Sequence, residues 1–157
     1  MTISNPEMLI TSFAISLGKQ ISVFETPEIS LDQAEKFKSF GYEYCRVSEA
    51  SIFSLCSESI EQCLAQFGDA SKIDAFIYAI EPSINSSNNW MQNSSQWQKE
   101  DIRWLIQKTQ ITPRQIFGLS FYNCATFLSA VSLARTLINT SEAENVLITI
   151  GGLANEH

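Results

Sequence analysis

Hydrophobic and polar positions along this chain fall into two rhythms, one strand-like and one helical. In "MLITSFAISLG", Met8 to Gly18, apolar residues alternate with the period of a strand, and a glycine closes the run. "SLDQAEKFKSFG" has helical spacing instead. Leu31, Ala34 and Phe37 share a face, Ser30 and Gln33 stand in N-cap and N3 relation, and Gly41 ends the helix. "SEASIFSLCSESIEQCLAQFG" repeats that spacing more strongly through Ile52, Cys56, Ile60, Cys63, Leu64 and Phe67, with Gly68 as the stop. Cys45 falls in the turn before it.

"IDAFIYAI", Ile73 to Ile80, is apolar almost throughout, which predicts a strand buried on both faces. The following "EPSINSSNNWMQNSSQ" is a long polar connection, and its Trp90 and Met91 read either as interface anchors or as local packing. "WQKEDIRWLIQKTQ" resumes helical spacing through Trp97, Ile102, Leu105 and Ile106. Gln115–Tyr122 is the next predicted strand, "CATFLSAVSLARTLIN" the next helix, and Asn145–Ile150 the last strand. Helices alternating with near-continuous apolar strands predict an α/β fold with a mainly parallel sheet and right-handed crossovers. One domain over residues 1–157 is expected, with no internal repeat or linker. Its last strand comes at the end of the sequence and leaves an edge to be paired or covered.

Composition narrows the setting. Hydrophobic residues make up 45% and charged residues 17% of 157, the balance of a packed globular chain. A net charge of −7 with no basic cluster argues against nucleic acid as a partner. No apolar run reaches the ~20 residues of a membrane span. The first residues lack the basic stretch and cleavage site of a signal peptide, so a cytoplasmic location with reduced thiols is expected. Cys45, Cys56, Cys63 and Cys124 form no Cys-x-x-Cys pair, and the single histidine is His157, so neither a metal site nor a bound cofactor is expected. On the apolar face of a helix, Cys56 and Cys63 read as small core residues, and Cys45 as packing.

Cys124 is different in position. It sits where "LSFY" turns into "ATFLSAV", at the predicted carboxyl end of a strand, where open α/β sheets collect function. Free amides and the positive dipole end of a helix's first turn favour a thiolate, and the same amides can receive an oxyanion. Ala125, Thr126, Ser129, Ala130, Ser132 and Ala134 behind it suggest close packing between other layers. By spacing alone, the favoured reading of Cys124 is one more small core residue at a tight turn.

The stretch "FGLSFYNCATFLSAVSLARTLINTSEAENVLITIGG" resembles the nucleophile segment of the thiolase superfamily. It is most similar to the branch of initiating 3-oxoacyl-(acyl-carrier-protein) synthases. Asn123, Cys124, Ala125, Phe127, Leu128, Ala130, Leu133 and Ala134 carry the likeness, followed by "AENVLITI". Upstream, "SIFSLCSESIEQCLAQFGDASKIDAFIYAI" follows the same order of helix and strand. The resemblance implies a layered thiolase-like half, with a buried helix after the cysteine turn. It also implies that Cys124 accepts an acyl group from acyl-CoA or an acyl-carrier protein, in fatty acid or polyketide biosynthesis.

Departures bear on function. Family members pair two α/β halves, and this chain is shorter than one complete half. The catalytic His and Asn of the second half have no counterpart here, and His157 has no motif around it. "IEPS" replaces a small Thr/Ser-rich strand end, and "GGLANEH" stands where the family has a small-residue turn with an acid. The expectation is a subunit supplying Cys124 to a heteromeric acyl-transferring or condensing enzyme, with a protein partner carrying the complementary half. The alternative is a non-catalytic scaffold for an active partner, and a third reading is a truncated reading frame.

Overall fold

The computed structural model describes residues 8–27, 29–80, 102–119 and 125–152. Trp90, Met91, Trp97, Cys124 and His157 lie outside them. The described residues open on an extended stretch and a two-stranded antiparallel ribbon, β1 (Lys19–Ser22) and β2 (Tyr44–Val47), joined through helix α1 (Leu31–Ser39). Helix α2 (Ile52–Phe67) and one 3-10 turn (Ala70–Lys72) lead to β3 (Ala75–Ile80). Helical residues 102–109, here α3, precede β4 (Gln115–Gly118), α4 (Ala125–Asn139) and β5 (Val146–Gly151). The second sheet has the order β4-β3-β5, and both of its pairings are parallel.

Helix boundaries follow local chemistry. Ser30 and Gln33 form a reciprocal capping box at α1: the Gln33 N–H donates to Ser30 Oγ, and the Ser30 N–H donates to Gln33 Oε1 at 2.9 Å. Ser51 caps α2 by accepting the Ser54 N–H at 3.2 Å, and Gly68 ends it in the left-handed region at φ 95°. The α1 face expected from Leu31, Ala34 and Phe37 is buried only at Ala34, while Leu31 stays 67% exposed. No layer of the described chain covers that side of α1.

Two apolar clusters flank β3. Ile52, Cys56 and Ile60 of α2 meet Phe76, Leu147, Ile111 and the α3 residues Ile102 and Leu105 on one face. Ala130, Ala134 and Leu137 of α4 meet Ala75 and Ile77 on the other. The central strand is therefore buried on both sides, which is why its sequence is continuously apolar. Three layers result: α2 with α3, the parallel sheet, and α4.

Three expectations change. The strand-like run Met8–Gly18 is not a strand: residues 8–18 are extended but belong to no sheet, and the first strand among the described residues is Lys19–Ser22. The alternation there is real, but Ser12, Ala14 and Ser16 turn inward while Phe13, Ile15 and Leu17 are 67%, 56% and 60% exposed. Side chains of α2 hold this stretch instead of a ladder. Gln66 accepts the Phe13 N–H and donates to its carbonyl, Ser12 meets Cys63 at 3.0 Å, and Ser16 donates to Glu58 at 2.5 Å. Cys45 is in β2, not a turn, with its sulfur 3.0 Å from Thr26 Oγ1. Cys63 is only partly buried, because it borders that extended stretch and not the centre of the core.

Candidate functional site

The parallel register brings the carboxyl ends of β3, β4 and β5 to one rim. Tyr78 stands opposite Gly118 on one side and Thr149 on the other, and Ile80 stands opposite Gly151. The Leu119 N–H donates to the Tyr78 carbonyl at 2.9 Å, extending β4 toward this rim. A Cβ at Gly118 would sit 2.5 Å from Tyr78 Oη, so a glycine there makes room for the Tyr78 ring. Phe76 supports that ring from the same face, with centroids 6.1 Å apart. Neither Tyr78 nor Gly118 stands out in the sequence. The signal in sequence is one tyrosine two residues after Phe76 in an otherwise aliphatic strand, and its glycine is found only through the register.

Helix α4 starts at the same rim. It follows β4 and returns along the sheet with Ala130 and Ala134 against β3, small residues that permit close approach. Thr126, Ala130, Ala134 and Leu137 are buried. The opposite side carries Phe127 and Leu128, 53% and 67% exposed. The burial expected of this helix is therefore confined to one face of the described chain. Its Ser129 and Thr136 hydroxyls donate to carbonyls one turn back, at 3.0 Å each. Cys124 is the residue before Ala125 in sequence and lies outside the described residues.

The described thiols are Cys45, Cys56 and Cys63. Cys56 is buried and packs, with Ile52, against Gly151. Burial pushes its thiol above the ordinary value, opposed by a hydrogen bond to Thr149. A neutral, enclosed sulfur of this kind is a packing group. Among the described residues no three His, Cys, Asp or Glu side chains gather as metal ligands, and no helix is long and apolar enough to cross a membrane.

No family model matches the sequence, and no curated protein matches it significantly. Solved structures do share the fold. The 3-oxoacyl-[acyl-carrier-protein] synthase III of Aquifex aeolicus VF5 superposes with TM-score 0.68 at 18% identity, over 90% of this chain and 43% of that one. The 3-oxoacyl-(acyl-carrier protein) synthase of Burkholderia xenovorans LB400 does so with TM-score 0.61 at 20% identity, over 93% and 42%. An OleA variant of Xanthomonas campestris, with one cysteine changed to serine and with bound lauric acid and lauroyl-CoA, gives 0.63 at 12%, over 93% and 44%. The fold is thus the thiolase-like α/β fold, and the chain spans less than half the length of these synthases.

Proposed function

We propose that this chain supplies an acyl-accepting cysteine, Cys124, to a heteromeric thiolase-like enzyme that transfers or condenses acyl groups. The observation that carries the reading is the fold itself: the layered sheet of a 3-oxoacyl-[acyl-carrier-protein] synthase over 43% of that protein's length. In sequence Cys124 falls after β4 and directly before Ala125, the first residue of α4, and a helix's first turn offers free amides that favour a thiolate.

The chemistry is acyl transfer. The Cys124 thiolate adds to the carbonyl carbon of an acyl thioester, and the oxyanion is received by backbone amides. The donor's carbon–sulfur bond then breaks, and the donor leaves as its thiolate. Acyl-CoA or an acyl-carrier protein is the donor class, and the lauroyl-CoA bound to the OleA variant favours the former. Condensation also needs a base and an amide beside the thiol, and in the proposed heteromer the complementary half supplies both.

Co-purification from the native host, with identification of what travels with the chain, tests this reading. A companion that carries His and Asn motifs but no nucleophilic cysteine supports it. A companion that is a complete synthase with its own Cys, His and Asn makes this chain a scaffold and overturns it.

A further inference from the structure

We draw no further inference here: the strongest candidate, the outward apolar row Phe13, Ile15 and Leu17 on the extended stretch along α2, together with the outer edge of β5, which is unpaired among the described residues, carries nothing because nothing in the structure shows what covers it.

Discussion

The Asp74 carboxylate accepts the backbone N–H of Asn145 at 3.0 Å, bridging 71 positions of sequence. The same oxygen accepts the Glu144 N–H at 2.9 Å, and the other takes the Arg114 guanidinium at 2.6 Å. Through its backbone, Asp74 also donates to the Asn145 carbonyl and accepts from the Arg114 N–H. One residue thereby gathers the amino ends of β3, β4 and β5, opposite the rim where α4 begins. Register at the rim depends on this knot, because all three strands run from it in the same direction.

Asp74→Ala is expected to lower stability by about 1.5–3 kcal/mol, the range for hydrogen bonds to a charged group. Arg114→Ala costs less than about 1 kcal/mol, since that side chain is 73% exposed and its ion pair is screened. The Asn145 amide foremost, helped by the Glu144 amide and Arg114, holds the Asp74 carboxyl below its ordinary value of 3.8, against an opposing effect of burial second in size to the Asn145 bond. A lowered native pKa means the contribution is whole above that ordinary value and drains as pH falls through the lowered one. Urea denaturation of wild type and Asp74→Ala should therefore differ fully at pH 7 and converge below about pH 4. A gap that stays constant down to pH 3 contradicts the assignment.

Gly118→Ala should cost about 1–3 kcal/mol by forcing the Tyr78 ring from its place. In a Tyr78→Ala background the same substitution should cost distinctly less. A double-mutant cycle reads the coupling directly. Additive losses show that Tyr78 does not fill that space.

The layers were legible in the sequence because strands covered on both sides must be apolar throughout. Ile73–Ile80 and Asn145–Ile150 are such strands, and β3 and β5 lie within one residue of the predicted carboxyl ends. Capping chemistry likewise marked α1 and the Gly68 end of α2. Met8–Gly18 misled for a physical reason. Period-two patterning reports which way side chains point, not whether a backbone finds a ladder partner, and here the apolar side faces outward. The ribbon strands β1 and β2 have four residues each and are mostly exposed, too short to impose a pattern. For the candidate site, the acyl-accepting role expected of Cys124 came from resemblance, whereas the Tyr78–Gly118 contact required a register that sequence spacing does not contain.

Leu128→Glu tests the uncovered side of α4. The residue is 67% exposed, so the isolated chain should change in stability by no more than about 0.5 kcal/mol. Association with the proposed complementary subunit should be lost, because a charge would enter an apolar contact. Light scattering on the mixed chains distinguishes the outcomes, and an intact complex with Leu128→Glu places the interface elsewhere.

Thiol reactivity should rank the cysteines. Under native conditions Cys124 should be alkylated by iodoacetamide first, and Cys56 last, because burial keeps the latter protonated and enclosed. Peptide mapping over a time course gives the order. Equal rates at Cys56 and Cys124 would remove the case for a distinctive thiol.

Intact-protein mass spectrometry of the chain with its partner and lauroyl-CoA addresses acyl acceptance most directly. The expected result is one lauroyl adduct, mapped to Cys124, that is absent from a folded Cys124→Ser variant whose complex is also inactive. A Cys124→Ser complex that retains full activity would contradict the account and leave this chain an inert scaffold.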